Sequence, residues 1–260
     1  MRIKLGMVGV GTIAACVIKG LLQKNDKDLD ICLSPRGAAK VAELTRLFPS
    51  VRAMPSNQAV LDHADWILLA VRPQEAEEAI KALRFSGGHK VLSVIAMTPI
   101  ERLRALIPEA DTFVRMIPLP FIERRGGPIV LYPDNGEILS LFADMGRPVV
   151  PHSEPMLDVL SAVTGSMSPF YRVTGQVTGW GVRHGLSAET AAAYVVAFYQ
   201  ALLETCAQTP PEGIGDLWRE MTPGGLNACA TAAIEAGGGF DIWDAALDEA
   251  MARIRRQSRG

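Results

Sequence analysis

The sequence of 260 residues contains no lysine after Lys90, and this absence removes one class of enzyme. Dehydrogenases of 3-hydroxy acids combine a nucleotide-binding domain with a helical domain, and they use a lysine of the helical domain as general acid or base. Spacings typical of a Ser-His-Asp triad or of a hydrolase with paired carboxylates are also missing. The sequence therefore excludes the 3-hydroxy acid dehydrogenases and gives no support to a hydrolase.

Cysteine and histidine are scarce, with four residues of each type. The cysteines are far apart and form no paired spacing, which favours reduced thiols in a cytoplasmic protein over a disulfide framework. The histidines are equally scattered, so we predict no metal site. The residues are Cys16, Cys32, Cys206 and Cys229, and His63, His89, His152 and His184.

No charge of one sign dominates the chain. Lysine and arginine total 26 against 28 for aspartate and glutamate, so no basic field attracts nucleic acid or an anionic membrane. The apolar N-terminus is interrupted by Gly6, Gly9 and Gly11, which argues against a secretory signal, and no later run approaches the roughly 18 residues of a membrane helix. The expected partners are a small-molecule substrate and further copies of the chain.

A glycine-rich turn follows the first predicted strand and opens a predicted helix. In the G-x-G-x-x-A pattern found there, Gly9 makes a tight turn, Gly11 lets the backbone approach a pyrophosphate, and Ala14 permits close packing of helix on strand. The helix N-terminus then offers free N–H groups to an anion. We predict dinucleotide binding by Gly9, Gly11, Thr12, Ile13 and Ala14.

Strands and helices alternate along the first half of the chain. This order is typical of an α/β fold with a parallel sheet covered by helices on both faces, and it predicts a Rossmann-type domain over residues 1–152. The predicted strands are 29–34, 66–71, 90–95, 111–116 and 128–132, and the predicted helices are 36–47, 74–84 and 99–106.

The end of the second strand indicates which cofactor binds. Folds that bind NAD usually place an acidic residue there for the ribose hydroxyls, but this strand ends in Ser34 and Arg36 without a carboxylate. A hydroxyl and a guanidinium suit a 2′-phosphate, so we predict NADP (NADPH), with NAD possible. The alternative is that Arg36 is a solvated residue at a helix start.

The third strand ends in a turn that also points to the cofactor. Pro73 stops the strand ladder and turns the chain at the carboxyl edge of the sheet, where such folds bind ligands. We therefore add Ala70, Val71, Arg72 and Pro73 to the predicted cofactor site.

The second half of the chain reads as helical, without strand signals. We predict an all-helical domain over residues 153–260, and its apolar, alanine-rich segments indicate burial against a second subunit in a homodimer or higher homo-oligomer. The predicted helices are 154–164, 169–184, 187–207, 224–236 and 241–256.

Two turns rich in glycine and proline, at 164–171 and 222–227, each open a helix in this half. Their backbone N–H groups could hold a carboxylate, worth up to about 2 kcal/mol at a partly buried helix end. The same turns also make sense as plain helix caps, with Ser168 before Pro169 and Thr222 before Pro223. Spacing alone leaves both interpretations open.

These motifs together resemble the pyrroline-5-carboxylate reductase family over nearly the full length. The carriers of the resemblance are the fingerprint, "SPR" at 34–36, "AVRPQ" at 70–74, "VRMIP" at 114–118, "GVRHGLSAETA" at 181–191 and "MTPGGLNA" at 221–228. The family takes hydride from NAD(P)H to reduce a cyclic imine acid to proline, and its helical domain interleaves with a second copy. The resemblance implies cytoplasmic proline biosynthesis and the same two-domain plan.

The resemblance also implies which residues hold the substrate. In the family, the carboxylate rests on the backbone of the helix-start turns and a threonine hydrogen-bonds the ring nitrogen; the threonine position is Asn227 in this sequence. Asn227 is therefore the predicted catalytic residue. The predicted substrate-binding residues are Ser166, Thr222, Gly224, Gly225, Leu226 and Asn227.

Several residues depart from the family pattern on the predicted pocket loops. They leave open a related cyclic imine or keto acid as substrate, a non-catalytic NADP-binding protein with an altered pocket, and a deazaflavin-linked oxidoreductase that shares the first domain. The departures are Leu119, Pro120, Met167, Ser168, Phe170, Leu226 and Asn227.

Overall fold

The computed structural model describes residues 3–23 and 29–258, and these residues form two compact units. The first unit holds the described residues up to Ser161 and from Ile254 on, and the second is Ala162–Arg253. The division by contacts concerns compactness alone, so the functional boundary between residues 152 and 153 stays a prediction.

An eight-stranded sheet forms the centre of the first unit. The strands are β1 (Ile3–Val8), β2 (Leu29–Leu33), β3 (Val51–Ala53), β4 (Trp66–Leu69), β5 (Lys90–Ser93), β6 (Thr112–Ile117), β7 (Pro128–Tyr132) and β8 (Arg147–Val149). Their order in the sheet is β3-β2-β1-β4-β5-β6-β7-β8. The first six strands in chain order all pair in parallel. Their order in the sheet is typical of a dinucleotide-binding fold.

The predicted parallel sheet is confirmed for β1 to β6, whereas β7 and β8 run in the opposite direction. β7 runs antiparallel to β6, with Met116 opposite Leu131. The two strands are joined by a short 3₁₀ helix, Pro120–Arg124, rather than by the longer crossover that a parallel connection needs. β8 then pairs parallel to β7.

Among the described residues, six α-helices accompany the sheet. They are α1 (Thr12–Leu22), α2 (Ala38–Leu47), α3 (Asn57–His63), α4 (Pro73–Lys81), α5 (Ile100–Leu106) and α6 (Gly136–Phe142). The sequence did not predict β3, α3, α6 or β8, because each has seven residues or fewer and too few buried positions for a periodic pattern. The predicted alternation of strand and helix is confirmed elsewhere.

The sheet is buried on both faces by apolar side chains. One core cluster includes Leu5, Met7 and Ile18, and the other includes Val8 and Ile67. Successive residues of β1 thus contribute to opposite faces, as the two-residue period of a strand requires. Near-continuous apolar strands are typical of parallel sheets covered on both faces.

The second half of the chain is helical, as predicted. Its helices are α7 (Met156–Thr164), α8 (Met167–Arg183), α9 (Ala188–Gln208), a 3₁₀ helix (Pro211–Glu220), α10 (Leu226–Ala236) and α11 (Asp241–Ser258). In the described part of the chain, no helix combines the length and apolar character needed to cross a membrane.

Large apolar side chains of the second unit face solvent. Seven of them are more than half exposed: Tyr171, Trp180, Tyr194, Leu203, Trp218, Leu226 and Ile242. Large apolar patches on a soluble chain mark surfaces that another molecule covers. The first unit shows the opposite pattern, with its apolar strands buried.

Candidate functional site

The turn after β1 is shaped so that only glycine fits at its first position. Gly9 has φ of +93°, and a Cβ built there would lie 2.7 Å from the carbonyl oxygen of Ala70. The end of β1 is thereby held against the end of β4, where Ala70 N also donates a hydrogen bond to Val8 O at 2.9 Å. Gly9 is required for the close approach of two backbone segments.

Space opens directly above the start of α1. A Cβ built on Gly11 would meet no atom within 4 Å, and Gly11 is the extended N-cap of the helix, without a side-chain cap. The first turn has no acidic residue, so its free N–H groups and the positive end of the helix dipole face the open space. This arrangement fits a pyrophosphate, while Ala14, fully buried, packs the helix on the sheet.

Ser34 and Arg36 occupy different environments after β2. Ser34 is fully buried, and its Oγ accepts a hydrogen bond from Gly9 N at 2.9 Å. The hydroxyl therefore fixes the fingerprint turn, and direct contact of Ser34 with a phosphate stays a prediction. Arg36 extends into solvent, with 74% of its side chain exposed, where an incoming anion can reach it.

The helix predicted to begin at residue 36 begins at Ala38 instead. Gly37 is its N-cap and has φ of +84°, a left-handed conformation that glycine adopts without strain. A Cβ on Gly37 would lie 2.7 Å from Val10 O, in the fingerprint turn. Arg36 thus belongs to an exposed turn beside the fingerprint, two residues before the helix, and its role as a phosphate ligand or as a solvated residue stays open.

The turn after β4 brings a further charged residue to this edge. β4 ends at Leu69, Arg72 is the N-cap of α4, and Pro73 is its first residue. Glu75, which sequence reasoning missed, places Oε2 at 3.2 Å from Arg36 Nη1 and Oε1 at 3.9 Å from Arg72 Nη1. No local pattern signals this contact, because Arg36 and Glu75 are 39 residues apart in the chain.

The structure therefore gathers the predicted cofactor residues at one place. The fingerprint turn, the Ser34–Arg36 segment and the turn from Ala70 to Pro73 follow β1, β2 and β4, which are neighbours in the sheet. Ligands of open α/β sheets bind at this carboxyl edge. A cavity of about 610 Å³ lies at the opposite edge, lined by Lys4, Asp65 and His89 among others, which lie at or beside the starts of β1, β4 and β5.

The turn before α10 repeats the backbone of the fingerprint in the second unit. Gly224 has φ of +71°, and Gly225 is an extended N-cap without a side-chain cap. The first turn again contains no acidic residue. Exposed backbone N–H groups at such a helix start suit a carboxylate.

The cap residues proposed for this turn are wrong. α10 begins at Leu226, so Thr222 and Pro223 precede the helix instead of capping it. Thr222 contributes its carbonyl oxygen, which accepts from Gly225 N at 3.1 Å and closes the turn. The helix start is consequently left to its backbone groups.

The two residues after Gly225 are the departures from the family pattern. Leu226 is 91% exposed and packs against little of its own chain. Asn227 is exposed, and its Nδ2 lies 3.2 Å from Met221 Sδ, a weak acceptor. The Asn227 amide can therefore exchange this contact for a stronger acceptor at low cost.

The other predicted turn differs from this geometry. α8 begins at Met167, with Ser166 as N-cap, so the interpretation of Ser168 and Pro169 as cap and first residue is wrong. Ser166 has helical dihedral angles and makes no side-chain cap. Within the described residues, no hydrogen bond joins Ser166 to the turn at 222–227, and a role of Ser166 in substrate binding stays a prediction.

A buried ion pair beside the end of β6 was also missed from the sequence. Arg115, 8% exposed, donates from Nη1 to Glu154 Oε1 at 2.8 Å, and the same oxygen accepts from Ile100 N at 2.8 Å. Burial raises the pKa of the nearby Asp158 carboxyl, and the positive charge of Arg115 partly opposes that shift. The pair fixes the segment after β8 to the start of α5.

The departures Leu119 and Pro120 lie at the entry to the 3₁₀ helix after β6. Leu119 is its N-cap and Pro120 its first residue.

Across residues 3–23 and 29–258, no three His, Cys, Asp or Glu side chains come together in a way that could hold a metal ion.

Two family models match the chain, one in each half. Residues 4–97 match the family described as NADP oxidoreductase, coenzyme F420-dependent, and residues 154–257 match pyrroline-5-carboxylate reductase dimerisation. Pyrroline-5-carboxylate reductase 1 of Bacillus spizizenii is 26% identical over 98% of this chain and 89% of its own length.

Solved structures show the same fold over nearly the whole chain. A 1-pyrroline-5-carboxylate reductase from Streptococcus pyogenes matches with a TM-score of 0.84 and 21% identity, covering 98% of this chain and 99% of its own. Plasmodium falciparum pyrroline carboxylate reductase, solved with NADP bound, matches with a TM-score of 0.84 and 18% identity, covering 98% of each chain. Both halves of the chain and the order of its motifs are therefore similar to those of the pyrroline-5-carboxylate reductases.

Proposed function

We propose that the protein reduces a cyclic imine carboxylate with NADPH, and that its substrate is 1-pyrroline-5-carboxylate, which becomes proline. One observation carries the proposal: each unit holds a helix that starts at an extended glycine, without a side-chain cap or an acidic first turn. The start of α1 suits the dinucleotide pyrophosphate, and the start of α10 suits the substrate carboxylate.

The first unit would hold NADPH along the carboxyl edge of its sheet. Gly9 and Gly11 admit the pyrophosphate to the backbone, and Ser34 keeps the fingerprint turn in place from within. Arg36 would bind the 2′-phosphate with charge-assisted hydrogen bonds. NADH remains a possible second donor. When bound, the reduced nicotinamide supplies the hydride.

The second unit would hold the imine acid at the start of α10. The backbone N–H groups of the first turn would donate hydrogen bonds to the carboxylate, and Gly224 and Gly225 keep that approach free of side chains. Asn227 is the polar side chain nearest this position along the helix, and its Nδ2 or Oδ1 would meet the ring nitrogen. Thr222 closes the turn, and Leu226 forms an apolar neighbour for the ring.

The reaction does not require a general acid or general base from the protein. A cyclic imine with a protonated nitrogen accepts hydride at its carbon, and the π electron pair of the C=N bond moves to nitrogen, so the product amine keeps the proton. The task of the protein is then to hold hydride donor and carbon about 3–3.5 Å apart. This task agrees with a second domain that contains no lysine.

We further propose that the protein works as a homodimer or a higher homo-oligomer in the cytoplasm. The exposed apolar side chains of the second unit, among them Trp180 and Tyr194, support a surface that a second copy covers. The four cysteines are free, which suits a reducing compartment.

Oxidation of NADPH, followed at its absorbance with 1-pyrroline-5-carboxylate and a panel of related cyclic imines and keto acids, tests the proposal. We expect turnover of the pyrroline substrate, with Asn227→Ala weaker than the wild type. Tight NADPH binding without turnover of any substrate would instead support a non-catalytic NADP-binding protein, for which Leu226 and Met167 would close the pocket.

A parallel titration with a deazaflavin cofactor distinguishes the remaining alternative. The first unit matches a family with F420-dependent members, but the second matches the pyrroline-5-carboxylate reductase dimerisation domain. We expect no binding of the deazaflavin. Saturable binding, together with reduction of NADP by its reduced form, would contradict the proposed function.

A further inference from the structure

The ribose end of the cofactor site contains a carboxylate that the second strand does not provide. In dinucleotide-binding folds, the residue after the second strand contacts the ribose 2′ position, and in NAD enzymes it is acidic. Here Arg36 occupies that position. Glu75 reaches it from the first turn of α4, with its Oε2 at 3.2 Å from Arg36 Nη1.

Glu75 stands between two arginines that differ in origin. Arg36 comes from the turn before α2, and Arg72 is the N-cap of α4, with Nη1 at 3.9 Å from the second carboxylate oxygen, Oε1. The arginine side chains are 74% and 83% exposed, so neither is committed to the interior. A dianionic 2′-phosphate seeks the same two guanidinium groups that this carboxylate contacts.

The two nicotinamide cofactors should respond to Glu75 in opposite ways. A 2′-phosphate meets electrostatic repulsion from the carboxylate and must displace it from the arginines. A 2′-hydroxyl can donate a hydrogen bond to the carboxylate, as it does to the acidic residue of NAD enzymes.

We propose that Glu75 sets the preference between NADPH and NADH, because its carboxylate competes with the 2′-phosphate for Arg36 and Arg72 and accepts the 2′-hydroxyl of NADH. The inference rests on the proposed use of a nicotinamide cofactor at this edge, and it does not depend on the imine. Glu75 is thus a specificity-determining residue that lowers the affinity of this site for the 2′-phosphate.

Binding of two cofactor fragments tests this inference without any turnover. Dissociation constants of 2′,5′-ADP (adenosine 2′,5′-bisphosphate) and of 5′-AMP, measured by calorimetry on the full chain, isolate the 2′-phosphate. Glu75→Gln keeps the size of the side chain and removes its charge. We expect the ratio of the two constants to change by about three- to tenfold in favour of 2′,5′-ADP, with the gain reduced at high salt.

Glu43→Gln is the matched control. Glu43 lies on α2, pairs with Lys19 at 3.0 Å, and is 44% exposed in its side chain, against 46% for Glu75. The control removes the same charge from a similar surface ion pair away from Arg36 and Arg72, so its ratio should equal that of the wild type.

Two results would overturn the inference while leaving the cofactor site intact. An unchanged ratio in Glu75→Gln would remove Glu75 from cofactor selection. A ratio changed in favour of 5′-AMP would show that the carboxylate holds the arginines ready for phosphate. Failure of the wild type to bind either fragment would overturn the cofactor assignment itself, and the inference with it.

Discussion

The starts of α1 and α10 have nearly the same backbone but different surroundings. Gly11 and Gly225 are both extended N-caps, with φ of −86° and −76°, and each follows a nearby glycine with positive φ. Around α1 the structure is dense: eight of its residues are buried. None of the residues of α10 is buried.

The difference shows that the protein itself surrounds the start of α1 closely, whereas the start of α10 is left open. Gly9 contacts the end of β4 closely, whereas a Cβ on Gly224 would meet nothing within 4 Å. The start of α1 is therefore preorganised by the sheet. The start of α10 offers the same N–H groups, but its environment must come from substrate or from a second copy of the chain.

The largest expected effect comes from placing a side chain in the rigid turn. Gly9→Ala would put a Cβ at 2.7 Å from Ala70 O and force alanine to φ of +93°. We expect loss of NADPH binding and a fall of about 2–4 kcal/mol in the free energy of unfolding. Calorimetric titration measures NADPH binding, and urea unfolding measures the free energy of unfolding. A variant that binds NADPH as the wild type does would contradict the assignment of the cofactor to the Gly9 turn.

Truncation of apolar side chains on the two helices gives the next contrast. Ile18→Ala removes a fully buried side chain of α1 and should lower the free energy of unfolding by about 2–5 kcal/mol. Leu226→Ala, at a residue that is 91% exposed, should change it by less than about 0.5 kcal/mol. Measurements at a protein concentration low enough to dissociate oligomers keep the comparison within one chain. Equal losses would show that α10 is packed after all.

Gly224→Ala tests whether the second turn binds substrate through its backbone. Alanine at φ of +71° costs about 1–2 kcal/mol, and no neighbouring atom adds a clash. We expect a higher KM for the imine with an unchanged dissociation constant for NADPH. Steady-state kinetics and fluorescence titration separate the two effects, and an unaltered KM would argue that the carboxylate binds elsewhere.

The smallest effect is expected at the departure from the family threonine. Asn227→Thr should raise activity on 1-pyrroline-5-carboxylate a few fold, because a hydroxyl is shorter than the amide and can both donate and accept. Asn227→Ala is the control and should lower it. If both variants retain the wild-type rate, Asn227 has no part in the mechanism.

The sequence predicted the features that have a strong local signal. The fingerprint at Gly9 and Gly11 and the alternation of strand and helix depend on residues close together in the chain, and the structure confirms the fold they indicate. The short β3 was missed because only Val51 of its three residues is buried. The antiparallel direction of β7 was missed because periodicity does not report strand direction.

The contacts of the site were harder to predict from the sequence, because they join residues that are far apart in the chain. Glu75 reaches Arg36 through the order of strands in the sheet, and Glu154 reaches Arg115 across 39 residues of chain. Such contacts carry no spacing rule. The caps at Thr222 and Ser168 were assigned wrongly because cap residues also occur in turns, and the backbone alone decides where a helix begins.

Transfer of deuterium from NADPH labelled at the hydride-donating position of its nicotinamide tests whether the protein reduces 1-pyrroline-5-carboxylate with NADPH. The protein is incubated with the labelled cofactor and 1-pyrroline-5-carboxylate, and the product is analysed by mass spectrometry. The account predicts proline that carries one deuterium, formed in equal amount to the NADPH consumed. Tight binding of NADPH without any labelled proline would contradict it.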